Sequence, residues 1–593
     1  MHLTTLDWVI VVVSLGISFV PAIVLARRAG KNITEFFAAG RAAPWWLIGI
    51  SLVATTFSTD TPNLVTNLVR DGGVAENWVW WAFLLTGMAT VFFYARLWRR
   101  SRVLTDLEFY ELRYAGRAAS FVRGFRAIYL GLFFNCWIIA TVNLALVKIA
   151  GILFGWPRFE TLAISVAVPI IFAATAGLWG VMVTDLIQFC ITMSSAFAAA
   201  YFAIHAPGVG GLHGLIAHFS GHASVLAILP DFKDWHTALG VFVIPITVLW
   251  WSVWYPGAEP GGGSYVAQRM LAARTESDAL FGTFAFQVMH YALRPWPWIV
   301  VALASTIVYP TLHDIQLRFP GVAPGLIGND IAYPAMLVFL PSGFAGFMVA
   351  GIFAAYRSTI ETHLNWGTSY LVHDFYQRFI RPGAAQRELV FVGRVVTALL
   401  MLLGVLFTFA LDNAHSAFNL LLSIGAGTGL IYLLRWFWWR INAWSEVSAM
   451  LASFVVSVAF FVAGKMGHSA DTTTVLLTTI GVTTLIWIVV TYCTPPVEPQ
   501  VLADFYARVR PAGPGWSRVR RENGLPSSPD SMPLALAGWV LGVASVYGAL
   551  FATGAFVYGR TLEGTVWSVV AAAAIVGLLA TGRHLWKPAA AGD

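Results

Sequence analysis

Charge is what this sequence has least of. Of its 593 residues only 11% are Asp, Glu, Lys or Arg, less than half of the ~25% usual in soluble domains. With 58% hydrophobic residues and a mean hydropathy of +0.72, this excludes a string of soluble domains and implies a polytopic, all-α membrane protein. Cysteine is scarce as well. Cys136, Cys190 and Cys493 stand in or beside apolar runs without CxxC spacing, which argues against a disulfide framework or a structural zinc site. HExxH and GxSxG are both missing, so the chain is not expected to be an enzyme of the zinc-protease or nucleophile-elbow kind. No basic leader precedes the first apolar run, Leu6 to Ala26, and basic residues follow it. That run reads as a first span rather than a cleaved signal.

What is present is about fifteen apolar segments, near 6–26, 45–69, 78–95, 127–150, 159–176, 181–204, 238–255, 280–309, 332–363, 391–411, 416–434, 446–464, 473–492, 533–556 and 565–582. If the N-terminus faces outward, most of the 36 lysines and arginines fall in inward loops. These include Arg27 to Arg41, Arg96 to Arg126, Arg378 to Arg394 and Arg508 to Arg521. By the positive-inside rule this puts the N-terminus outside and the C-terminus in the cytoplasm of a bacterial-type inner membrane. The net charge of +7 is then a membrane-surface feature, and no nucleic-acid partner is expected. Division follows the spans: an extra span and loop over 1–44, a core over 45–440, two added spans over 441–494, a Pro-, Arg- and Ser-rich cytoplasmic linker over 495–532, and two final spans over 533–593.

Three segments are wrong for plain membrane helices. The first, 45–68, reads WWLIGISLVATTFSTDTPNLVTNL. A hydroxyl-rich run ends in Asp60 and Thr61, and Pro62 then removes a helix donor. Irregular backbone at membrane depth survives only where it lines protein or a cavity. One reading is a helix broken near 54–60 whose freed carbonyls bind a cation, as in secondary transporters. The other is a kinked structural helix with hydroxyls bonded back to their own carbonyls. The second segment carries Arg357, Ser358, Thr359, Glu361, Thr362 and His363. Its adjacent hydroxyls suit a hard cation. Arg357 and Glu361, at i and i+4, either neutralise each other or leave Arg357 for Asp60 or an anionic solute. The third holds Asp185 in GLWGVMVTDLIQF, read as a helix cap or as the electrostatic partner of a bound cation. The histidines of the 206–237 loop (His213, His218, His222, His236) could suggest metal, but Gly221 interrupts the 218/222 pair and a solvated loop is the plainer reading.

Four stretches carry a resemblance: FFAAGRAAPWWLIGISLVATTFS at 36–58, VTDLIQ at 183–188, YVAQRMLAAR at 265–274 and LNWGTSYLVHDFY at 364–376. In this order the chain resembles the sodium:solute symporter family, which includes bacterial sodium–galactose transporters. The resemblance implies a leucine-transporter-type fold: two inverted five-helix repeats, the first helix of each broken, with extra flanking helices. Spans 45–69, 238–255 and 332–363 become core helices 1, 6 and 8. It implies a Na⁺ site from the carbonyls of Ala54, Phe57 and Ala355 and the hydroxyls of Ser358 and Thr359, with Asp185 as the helix-5 aspartate. The solute-facing positions become Thr61, Trp80, Tyr255, His290 and Asn419. These depart from the sugar-binding pattern, so a galactose site is not expected. The function implied is Na⁺-coupled symport of a small organic solute (sugar, amino acid or carboxylate) by alternating access, with Na⁺, that solute and the lipid bilayer as partners. Two alternatives stay open: H⁺ coupling through Asp60, Asp185 or Glu361, and a membrane sensor. The sequence sets no oligomeric state.

Overall fold

The computed structural model describes residues 3–29, 31–253, 259–409, 411, 425, 427–468 and 470–585. Among them, ten helices are long and apolar enough to cross a membrane, and two apolar helices, Trp45–Thr55 and Trp235–Thr247, are too short to do so alone. We label α1 (Thr5–Ala29), α2 (Trp45–Thr55), α3 (Asp60–Gly72), α4 (Val74–Ser101), α5 (Gly116–Phe154), α6 (Arg158–Ile204), α7 (Trp235–Thr247), α8 (Ser264–Ala272), α9 (Glu276–Val308), α10 (Phe344–Ser369), α11 (Gln386–Phe409), α12 (Ala443–Lys465), α13 (Thr472–Cys493), α14 (Pro499–Val509), α15 (Met532–Val557) and α16 (Thr561–Leu585).

The two short helices are the first halves of broken ones. α2 starts behind Pro44, whose carbonyl accepts from Leu47 and Ile48, while Asp278 Oδ1 takes the orphan amide of Trp45 at 3.1 Å. It stops at Thr55, and α3 resumes at Asp60 with Pro62 in its first turn. In the second repeat the counterpart is α7 and then α8, separated by a stretch that carries a short 3-10 turn, Leu249–Trp251, and whose residues 259–263 are not helical. A bridge joins the α2 and α8 ends: Ala43 N–H donates to Ala272 O and Arg274 N–H to Ala43 O, each at 3.0 Å.

Spans 159–176 and 181–204 are two helices, together labelled α6, that turn on one another at Gly177 (φ 58°, ψ −175°), so that Phe172 and Val181 pack together beside Phe19 of α1. Span 332–363 is different. A short helix, Ala332–Met336, ends before Pro341, and α10 starts only at Phe344 behind Gly343, whose φ of +88° needs glycine. Asp7 of α1 accepts the Gly343 and Gly346 amides at 2.7 and 2.8 Å, capping α10.

The arginine-rich ends converge. Glu259, beside the core helix 6 break, pairs with Arg126 of α5 and, at 3.3 Å, with Arg435, which reaches Glu446 of α12 at 3.3 Å. The 495–532 stretch is tied to this end: the indole of Trp516 donates to Trp436 O at 2.8 Å, and Arg100 Nη1 donates to Val509 O at 2.8 Å. α15 clamps the core from outside, its Trp539 and Tyr547 donating to Leu85 O and Trp81 O of α4. Small residues Gly538 and Gly542 admit Phe92 of α4.

Past α10, in its π-helical continuation Tyr370–Ile380 at the arginine-rich end, His373 pairs with Glu108, and Arg123 holds Asp374 at 2.7 Å. Burial disfavours charge on His373, but its hydrogen bond to Glu108 and the charges of Asp374 and Glu108 outweigh burial and raise its pKa above 6.5. Its pairing therefore stabilises fully below about 6.5 and fades as pH rises through the raised value. The melting-temperature gap between the native chain and His373→Gln should narrow from about pH 6 to about pH 9. Gly177→Ala places a Cβ on a left-handed backbone and should cost about 1–3 kcal/mol, read as a lower melting temperature.

Candidate functional site

A broken helix leaves carbonyls without donors, and here two neighbouring ones are met from opposite sides. Thr359 Oγ1 of α10 donates to Thr55 O at 2.8 Å, with Ala355 O at 3.2 Å as a second acceptor. Arg294 Nη1 of α9 donates to Thr56 O at 2.5 Å, and Thr61 Oγ1 donates to the same oxygen at 3.4 Å.

The Thr55 side is a dry polar cluster. Ser358 Oγ donates to Asp185 Oδ1 at 2.6 Å and Ser51 Oγ to Oδ2 at 2.5 Å. Arg269 of α8 stands 4.0 Å from Asp185, donates to Thr362 Oγ1 at 2.7 Å and reaches Ser51 Oγ at 3.3 Å. The Thr55 and Thr362 hydroxyls pair at 2.9 Å. Ser51, Thr55, Asp185, Arg269, Ser358, Thr359 and Thr362 are all no more than 2% exposed. The structure thus brings together Ala355, Ser358, Thr359 and Asp185, beside Ala54 and Thr55. Ala54 O accepts from Phe57 N–H at 3.0 Å. Phe57 points its ring at Trp298, 4.8 Å between centroids.

Asp185 is not a helix cap, since it lies within α6 and accepts side-chain hydroxyls. Arg357 does not meet Asp60: its Nε donates to Glu361 Oε1 at 2.9 Å, and Phe19 and Phe172 flank its guanidinium. The i, i+4 pairing is the one realised.

On the Thr56 side, three expected solute positions meet. His290 Nδ1 lies 3.0 Å from Thr56 Oγ1 and Nε2 lies 2.9 Å from Arg294 Nη2. Arginine only donates, so Nε2 accepts, and the neutral imidazole carries its proton on Nδ1. The Trp80 ring sits 5.9 Å from that of His290 and stacks on Tyr291 at 5.8 Å, and Thr61 shares Thr56 O. Tyr255 and Asn419 lie outside the described residues. Among the described residues no three His, Cys, Asp or Glu side chains form a metal-ligand group.

Sequence reasoning left out Ser51, Thr362, Arg269 and Arg294 as site residues. Ser51 and Thr55 share a face by i, i+4 spacing, as do Ser358 and Thr362. Arg269 stood within the YVAQRMLAAR stretch and Arg294 within an apolar span, where a charge is costly.

The sodium:solute symporter family profile matches residues 36–453. The chain belongs to that family. It is 25% identical to a sodium/glucose cotransporter of Vibrio parahaemolyticus over 71% of its own length and 78% of that protein. It is 24% identical to sodium/glucose cotransporter 4 of Danio rerio, over 80% and 77%. The structure of a Na⁺-coupled sialic acid symporter, in a substrate-bound outward-open state, superposes with a TM-score of 0.68 at 18% identity, over 84% of this chain and 99% of that one. The fold is therefore of the leucine-transporter type, and this family member is a membrane-embedded, multi-pass symporter coupling Na⁺ to a small solute.

Asp185→Asn removes the counter-charge of Arg269 and one of two hydroxyl acceptors. Losing one partner of a buried pair costs of order 3 kcal/mol. Thermal melts in Na⁺-free choline buffer should show Asp185→Asn falling well below the native chain.

Proposed function

We propose that the Thr55 side of the break is the Na⁺ site and the Thr56 side the solute site, in a cycle of alternating access. The observation that carries this is the Thr359 hydroxyl donating to Thr55 O, which places the α10 hydroxyl pair against the unwound backbone of core helix 1. Na⁺ would take oxygens from Ala54, Phe57, Ala355, Ser358 and Thr359, with Asp185 supplying negative charge nearby. Thr61, Trp80, His290, Tyr255 and Asn419 are the solute side. Two features favour Na⁺ over H⁺ coupling at Asp185 and Glu361: Asp185 lies against Arg269 and two hydroxyls, and Glu361 is tied to Arg357. The gathering of Arg41, Arg99, Arg113, Arg123 and Arg435 at one end supports a bacterial-type plasma membrane placement with that end cytoplasmic, the N-terminus outside and the C-terminus inside.

Ion binding to the folded state raises stability by about 2.7 kcal/mol at a hundredfold excess over Kd. NaCl titrated against choline chloride at constant ionic strength should therefore raise the melting temperature of the native chain. Ser358→Ala with Thr359→Ala should need at least about tenfold more Na⁺ for the same rise, a loss of about 1.4 kcal/mol. An unchanged Na⁺ titration in the double variant would remove the site assignment. A shift driven by acid alone would favour the proton reading.

A further inference from the structure

Arg294 does more than close a helix end. It is 1% exposed, yet among the described residues no carboxylate lies within the 4.0 Å of an ion pair. Asp60 offsets its charge only from beyond contact distance, and a buried cation without a close partner is a costly arrangement. Its five protons can be counted. Nη1 places two on Thr56, on the carbonyl at 2.5 Å and the hydroxyl at 3.0 Å. Nη2 places one on His290 Nε2 at 2.9 Å. All of these acceptors are neutral. The Nε–H has no partner, and a second Nη2–H is left. Two protons on one guanidinium are what a carboxylate takes in two-pronged pairing.

The surroundings are also incomplete in the same way. His290 lies in the π-helical turn Met289–Leu293 of α9 and Arg294 directly after it, while Gln287 precedes the turn with its carboxamide against Gly87 of α4. Gln287 is 3% exposed and its Oε1 has no partner. Across the break, Ser58 Oγ and Asp60 Oδ1 are buried with no partner beyond one another. Native interiors leave few such atoms unpaired, and here they sit on the two elements that flank Thr56. The rings of Phe57 and Trp298, 5.8 and 5.1 Å from the guanidinium, hold it in place without neutralising it.

We infer that Arg294 anchors a carboxylate of the transported solute, so that the substrate class is a small carboxylic acid or amino acid and not a neutral sugar. Asp60 and Gln287 offer acceptors to an ammonium or hydroxyl on the same molecule. This rests on the Thr56 side being the solute site, and it is separable from the Na⁺ assignment, which concerns the other face.

The test uses the full chain, purified and saturated with Na⁺, in a thermal-shift series. The probes are acetate, pyruvate, L-lactate, L-alanine and L-proline, against acetamide, L-lactamide, D-galactose and myo-inositol. At least one carboxylate should raise the melting temperature, at a concentration at least about tenfold below that of any neutral probe giving the same rise. Arg294→Gln should abolish that carboxylate response while keeping the shift produced by Na⁺ alone, and Arg294→Lys should retain a weakened one. Silence from every carboxylate, an equal response to the amides or sugars, or a carboxylate response surviving in Arg294→Gln would overturn the inference. So would loss of the Na⁺ shift together with the carboxylate response, which would make Arg294 a brace for the break. Where Arg294→Gln yields no folded protein, the acid-against-amide comparison on the native chain decides alone.

Discussion

Everything in this fold leans on two backbone oxygens. Interrupting a helix inside a bilayer removes the donors its last carbonyls need, and water is not there to replace them. Thr55 O and Thr56 O are consecutive, yet they are met by different helices: α10 through Thr359, α9 through Arg294. The break is therefore a junction between the two faces proposed here for ion and solute. A shift of one peptide plane changes what both carbonyls can accept. Binding on one face then alters the free energy of binding on the other by an equal amount in each direction, with no pathway between them longer than one residue.

A second set of contacts ties the two broken helices and their neighbours together at one end. The Ala43–Ala273 bridge ties the start of α2 to the end of α8, so one half of each broken helix is coupled to the other through main chain. Around them, Arg126, Glu259, Arg435 and Glu446 form a buried ionic cluster joining α5, the core helix 6 break, the end of the short helix Gly429–Leu434 and α12. Such a cluster is strong while dry and weak once water enters. It therefore favours an all-or-none change at this end: packed and paired, or hydrated and released. α15 holds α4 from the outside with two side-chain hydrogen bonds to its backbone, which makes the α4–α9 side a firm wall against which the broken helices move.

The break itself was legible because its causes are local: a hydroxyl run, a carboxylate and Pro62 within one turn. The Ser358–Thr359 pair was legible for the same reason, as was the division of 159–176 from 181–204 at GLWG, whereas the second broken helix came only from the family resemblance. Arg269, Ser51 and Arg294 were not, since what makes them site residues is who lies opposite, 218 residues away for Ser51 and Arg269 and 238 for Thr56 and Arg294. Arg357 carried the reverse lesson: charged and in a span, it nonetheless spends itself on Glu361. Hydropathy also joined 332–363 across Pro341 and Gly343, because a window average does not register one residue at positive φ. The 495–532 stretch looked like a linker by its Pro and Arg content, while Phe505 and Trp516, both within 1% of full burial, are what bind it to the core.

Hydroxyl orientation gives the proposed ion face its sign. A serine or threonine side chain presents both a proton and lone pairs, and only the lone pairs attract a cation. Asp185 takes the Ser358 proton at 2.6 Å, and Thr55 O or Ala355 O takes that of Thr359 at 2.8 or 3.2 Å. Both hydroxyls are thereby turned so that their remaining lone pairs face away from these acceptors. Asp185 thus contributes twice at a distance: its charge lowers the cost of bringing in a cation, and its oxygen fixes which way Ser358 points. Arg269, 4.0 Å from Asp185, balances that charge while the face is empty of ions. On the proposed assignment, Na⁺ entering this face would compete with Arg269 for Asp185, and because Arg269 stands on α8 that competition would reach the second broken helix.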